Sequence, residues 1–180
     1  MAVIEDRSVL ETQARIDEVT AELIGDLNGL ALRSARHARR LLVKLGEASV
    51  PPLVDALRDH DPRVRWEAAK ALAEIASPAN AHSKAAAKAL VDALEDEEPG
   101  VRWLAAEALV FLGRASLDPL LHALLRDSGS VWLREGAHHV LRVIGRGEVA
   151  PAIEPVLRAL EGVVPAIAVL PAVRDALAAI

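Results

Sequence analysis

The chain has 180 residues, enough for one domain with a sizeable core, and 52% of them are hydrophobic. It contains no Cys, which excludes disulfides, thiol nucleophiles and thiolate metal sites together. Its formal net charge of −5 argues against a general nucleic-acid binder, because neutralising phosphates requires a local excess of Lys and Arg. Aromatic residues are only 2% of the chain, so Ala, Leu and Val must build the core, as suits helices that approach one another closely.

The N-terminal residues carry Glu5 and Asp6 rather than a basic start followed by an apolar run, so no secretory leader is expected. A long amphipathic helix follows, apolar at Leu10, Ile16, Val19, Leu23 and Leu27, and then a helix through Leu41, Leu42 and Leu45. Glu11, Asp17, Glu18, Glu22 and Asp26 make the first acidic, whereas Arg33, Arg36, Arg39, Arg40 and Lys44 make the second basic. Charge pairing between the two is expected for part of the cluster. Arg36, Arg39 and Arg40 spread over more than half the helix surface, so at least one should stay free for an anionic partner.

The next segments repeat. Leu53-Val54-Asp55-Ala56-Leu57, followed by Val64-Arg65-Trp66, returns as Leu90-Val91-Asp92-Ala93-Leu94 followed by Val101-Arg102-Trp103. A looser copy is Leu120-Leu121-His122-Ala123-Leu124 with Leu133-Arg134. The second helix of each unit aligns Val64, Ala68 and Leu72 with Val101, Ala105 and Leu109 and with Leu133, Ala137 and Leu141, and the frame reaches back to Ala38 and Leu42. These positions form one helical stripe, and the central Ala lets the partner helix come near. Leu45, Ile75, Leu112 and Ile144 close the stripe, and Gly46, Gly113 and Gly145 are expected left-handed stops. Asp61-Pro62 and Asp118-Pro119 each read as a capping carboxylate before a first-turn Pro.

Five helix pairs result, over residues 1–46, 50–75, 81–112, 117–144 and 149–180, and repeats of this length predict an all-α, right-handed solenoid in a single domain. Residues 47–145 are the clear repeats, flanked by an N-terminal and a C-terminal helix pair. The interval from Ile75 to Leu90 is seven residues longer than that from Leu112 to Leu120, which places an insertion near residues 78–84. The unit resembles the short HEAT-like repeats of bilin-lyase-type proteins, in which an Asp before the second helix and a Val-Arg pair at its start recur. Asp61 and Arg65 match that pattern, Glu98 with Arg102 keeps its charges, and Ser130 with Arg134 does not. The resemblance implies that these groups brace turns between neighbouring units.

In HEAT-like arrays the second helices line the concave side, which places Arg36, Arg40, Trp66, Lys70, Trp103, Glu107, Glu135, His139 and Arg142 on one binding face. Trp66 and Trp103 occupy equivalent positions of adjacent units, either as exposed anchors for a partner or as fillers of the seam. Trp132 falls outside the frame and is expected at the rim or in a turn. Glu135, His138 and His139 are spaced as a metal site or carboxylate-oriented base would be, but adjacent His side chains point about 100° apart. No catalytic residue, cofactor or metal is assigned. The expected function is a non-enzymatic protein-interaction scaffold that binds a partner segment with apolar and acidic groups. The repeat type also implies a bilin-lyase-like alternative handling a tetrapyrrole or other flat ligand. The Trp103–Glu107 turn resembles, more remotely, the groove of HEAT-like DNA glycosylases, though nucleic acid is not the expected partner.

At the C-terminal end, Arg174 and Asp175 are the only charged side chains after Gly162, and Val163, Val164, Ile167, Val169, Leu170, Val173, Leu177 and Ile180 exceed what one helix can cover. Pro171 is expected to kink or split the last helix, which would then fold back. Ile167 and Leu170 are candidate interface residues for a second copy or a partner protein. The run over residues 163–173 is too short and too rich in Pro to cross a bilayer, and a cytoplasmic protein without membrane contact is expected.

Overall fold

The computed structural model describes residues 2–27, 32–76 and 83–180, with side chains from residue 14 onward except those of residues 16 and 32–34. The side chains of Leu10 and Ile16, and residues 78–82 of the expected insertion, lie outside the described residues. Among the described residues every regular element is helical: α1 (Ala2–Leu27), α2 (Leu32–Leu45), α3 (Val50–Ala56), α4 (Pro62–Ile75), α5 (Ser83–Asp92), α6 (Pro99–Leu112), α7 (Leu117–Arg126), α8 (Val131–Ile144), α9 (Ala150–Leu160) and α10 (Pro165–Ala179). Helices α2, α4, α6 and α8 stack side by side in one layer, and α1, α3, α5 and α7 stack in the other. The chain is an all-α solenoid.

The aligned stripe holds the layers together. Val64, Ala68, Leu72, Val101, Ala105, Leu109, Leu133, Ala137 and Leu141 are all buried, as are Ala38 and Leu42. Truncating one such Leu to Ala typically costs about 2–5 kcal/mol through lost transfer energy and the cavity left behind. The stretch Pro99–Arg126 is long and apolar enough to cross a bilayer by length and composition, with a mean hydropathy of 1.4. It is nevertheless two helices meeting at Gly113, and half of its most apolar window is buried in the stack.

Local chemistry sets the boundaries. Asp61 caps α4, its Oδ1 accepting from the Arg63 backbone N–H at 2.8 Å, with Pro62 in the first turn. Ser130 caps α8 by accepting from Leu133 N–H at 3.2 Å, which is what it does in place of the charge pattern. Asp118 does not cap α7: it lies inside the first turn, and the position before the helix is Ser116. The buried Ser116 hydroxyl donates instead to the Leu109 carbonyl at 2.7 Å, and Ser49 donates likewise to Leu42 at 2.8 Å. Each serine stitches the turn back onto the carboxyl end of its own inner helix.

Gly46 and Gly113 take the left-handed conformation at φ +63° and +59°. Gly145 does not; the left-handed residue at that turn is Gly147, at +67°. Gly145 is required for another reason, since a Cβ there would stand 2.4 Å from the Ile153 Cγ2.

The Val-Arg pair is explained by the loop that precedes it. Arg65 donates to the carbonyls of Asp59 and His60 at 2.9 and 3.3 Å, Arg102 to those of Asp96 and Glu97 at 2.7 and 3.1 Å, and Arg134 to those of Ser128 and Gly129 at 2.6 and 2.7 Å. Each guanidinium thereby satisfies carbonyls left open between an outer and an inner helix. Asp59, Asp96 and Asp127 turn the same loops by accepting a backbone N–H two residues on, at 2.8, 2.9 and 3.1 Å.

The fifth pair departs from the expected order. Helix α9 lies beside α8, and α10 lies back against α7 and α9, so the first helix of this pair joins the inner layer and the second the outer one. Val169, Val173 and Ala176 form the buried stripe that allows it. Pro171 neither splits nor ends α10; it sits on the exposed side of the helix.

Candidate binding face

None of the inner-layer positions predicted to face a partner is buried: Arg36, Arg40, Trp103, Glu135, His139 and Arg142 are exposed, and Trp66, Lys70 and Glu107 are half-buried. Two hollows open on this face. The larger, about 510 Å³, is lined by Trp66, Lys70, Ala73, Trp103, Glu107 and Phe111 among others. The second, about 340 Å³, is lined by Arg36, Arg39, Arg40, Trp66, Glu67 and Lys70. Trp66 and Lys70 belong to both, so the hollows are continuous across α4. Glu135, His139 and Arg142 lie on α8, beyond the wall made by α6, and line neither.

The two equivalent tryptophans have different roles. The Trp66 indole packs where a Cβ on Gly100 of the next unit would approach within 3.1 Å of it, and the Lys70 ammonium stands 4.6 Å from its ring centroid. Trp66 is both seam filler and floor. Trp103 is 61% exposed. In the next unit the position equivalent to Gly100 is Trp132, which lies in the first turn of α8 rather than in a turn between helices. Its ring stacks on the Arg102 guanidinium at 4.4 Å.

Sequence reasoning missed Phe111, which is 58% exposed on the same stripe of α6 as Trp103 and Glu107. The signal was available, since residues 103, 107 and 111 are spaced by one helical turn each.

Electrostatics on this face come from partners across helices. Arg39 pairs with Glu67 of α4, Nε to Oε2 at 2.8 Å, and with Glu74, turning toward the next inner helix rather than toward acidic α1. That leaves Arg36 and Arg40, which form no ion pair with any described residue. His139 Nε2 meets Glu107 Oε1 of α6 at 3.0 Å, while His138 Nε2 meets Glu161 Oε1 at 2.8 Å. The adjacent histidines thus serve different neighbours, as their angular separation requires. Among the described residues no group of three His, Asp or Glu gathers as a metal site would need. At the C-terminal end Val163, Val164 and Ile167 are exposed, Ile167 at 70%, and Leu170 is half-buried.

Residues 30–82 and 79–142 match the family model described as HEAT repeats. No curated protein sequence matches the chain. Among solved structures, the chain is 25% identical to a chain in the complex of CpcE and CpcF of phycocyanin lyase from Nostoc sp. PCC7120. That match covers 89% of this chain and 98% of the other at a TM-score of 0.59. An engineered protein known from a crystal structure is 22% identical, with 89% of this chain and 78% of the other covered and a TM-score of 0.48.

Proposed function

This chain belongs to the HEAT-repeat family, and from that premise we propose that it is a non-enzymatic protein-binding scaffold whose inner-layer face receives a segment of a partner protein. The observation that carries the reading is the exposure of Trp103 and Phe111 on the wall of a hollow floored by Trp66 and Lys70. Exposed aromatic side chains in a concave site are costly in water and are typical anchors of recognition. Truncating such an anchor typically weakens binding by about 2–4 kcal/mol. Affinity capture from a cell lysate with wild-type chain and with Trp103→Ala and Phe111→Ala chains tests it. Proteins held by wild type and by a Trp132→Ala control, but released by the two hollow variants, support the reading; capture indifferent to both hollow variants refutes it.

A second reading is favoured by the likeness to a chain of the phycocyanin-lyase complex. In it, the hollow takes a flat ligand such as a tetrapyrrole against the Trp103 indole, and the C-terminal surface around exposed Ile167 and half-buried Leu170 joins a second chain. Titration with a bilin, followed by its visible absorbance and by Trp fluorescence quenching, separates this from the peptide reading. A spectral change abolished in Trp103→Ala supports it, and an unchanged spectrum removes it.

A further inference from the structure

The binding face is graded from one helix to the next. Along the row one turn apart on each inner helix, α2 presents Arg36, Arg40 and Lys44, α4 presents Trp66, Lys70 and Glu74, and α6 presents Trp103, Glu107 and Phe111. The α2 row is wholly basic and exposed, and its three cations form no ion pair with any described residue. The α6 row is aromatic at both ends, and the acid between them is engaged by His139. Residues eight apart on a helix are separated by roughly 12 Å, so both rows run about that far, parallel to the array helices. They flank α4, whose contribution between the walls includes the small Ala73.

The distance between the walls selects what can lie there. Helix α2 to α6 is two packing distances, roughly 16–20 Å, and a helix with its side chains is about 10–12 Å across. A chain lying along α4 meets cations on one side and aromatic rings on the other, each at intervals that match successive turns of a helix.

Resting on the scaffold reading, we infer that the partner segment is an acidic amphipathic α-helix lying along α4. Its acidic flank faces Arg36, Arg40 and Lys44, and its apolar flank faces Trp103 and Phe111. This is recognition of a helix in a groove, with anchors recurring at one- and two-turn spacing. The exposed cations add charge complementarity, which fixes the orientation of the segment and speeds its encounter.

The test is selection from a displayed library of random 16-residue peptides on the immobilised full-length chain, with a parallel selection on Trp103→Ala. Helix content of each variant is matched to wild type by circular dichroism beforehand. The expected peptides bind wild type alone, carry Asp or Glu and large apolar residues on adjacent helical faces, and gain helicity when bound. They weaken by roughly tenfold or more in Arg36→Glu, Arg40→Glu chains, the scale expected when interfacial charge is removed and reversed. Trp103-dependent peptides that contain interior Pro, lack helical periodicity or are basic overturn this inference and leave the scaffold reading standing. Absence of any Trp103-dependent enrichment overturns both.

Discussion

The Arg65 guanidinium and the Asp96 carboxylate meet across the seam between the second and third units, Nε to Oδ2 at 2.7 Å and Nη2 to Oδ1 at 3.0 Å. Glu97 Oε1 also accepts from Arg65, at 3.0 Å. The Asp96 hydrogen bonds, reinforced by Glu97, hold the Arg65 pKa above its usual range against the opposing effect of burial. Because the same guanidinium also binds the carbonyls of its own loop, one side chain joins two units. In the next unit Arg102 keeps the carbonyls and replaces the carboxylates with the Trp132 ring.

Arg65→Ala should therefore be costly. Both side chains of the pair are largely buried, at 10% and 7% exposure, and removing one partner strands the other. A destabilisation of about 3–5 kcal/mol is expected, against about 0.5–2 kcal/mol for Arg102→Ala, which removes a more exposed cation–ring stack and the loop-carbonyl hydrogen bonds but strands no buried carboxylate. Arg65→Lys should not restore the stability, because an ammonium cannot reproduce the fork. Equilibrium urea unfolding ranks the three, and equal midpoints would show that the seam is held by the apolar stripe alone.

Ser49→Ala and Ser116→Ala should each destabilise by about 1 kcal/mol, since each removes a buried hydrogen bond that ties the turn to its inner helix. The sites lie two units apart and share no partner, so the double substitution should be additive within about 0.5 kcal/mol. Guanidinium denaturation with unchanged slope checks this. A neutral Ser116→Ala would mean that the Gly113 N–H, which also donates to the Leu109 carbonyl, satisfies it alone.

The cap on α4 should be sensitive to acid. Hydrogen bonds from the Arg63 side chain and backbone lower the Asp61 pKa below its ordinary 3.8. The stabilisation is therefore present above that value and disappears as the pH falls through the lower folded-state pKa. Asp61→Ala should be less stable than wild type at pH 7, and the gap should close as the pH drops below about 4. Thermal unfolding of both proteins across that range is the measurement. A constant gap would show that the charge of Asp61 does not contribute.

If the surface around Ile167 is an interface, wild type should run above monomer mass in analytical ultracentrifugation at high concentration. The Ile167→Asp, Leu170→Asp chain should run as a monomer. Leu170 is half-buried, so Ile167→Asp alone, at a position 70% exposed, serves as the control for folding. A monomeric wild type with no other chain bound, and with solubility unchanged by the substitutions, removes the interface.

The repeating unit is legible in the order of residues alone. The spacing of Val64, Ala68 and Leu72 and its copies dictates which face of each inner helix is apolar, and Asp61-Pro62 and Gly113 mark where helices start and turn. That order also set the rows that begin at Arg36, Trp66 and Trp103 off the apolar stripe, while how far each residue is exposed was left to the packing of neighbouring units. What the repeat could not distinguish was Trp66 from Trp103, which are identical in frame. Trp66 packs beside Gly100 of the following unit while Trp103 stands 61% exposed, a difference set by packing between units. The partner of Arg39 was decided in the same way, by Glu67 of the next inner helix, and so was the need for Gly145, by Ile153 of α9. The order of α9 and α10 is the clearest instance. Periodicity shows that Val169, Val173 and Ala176 must be covered, but burial is non-directional, and only packing selected α7 and α9 as the cover.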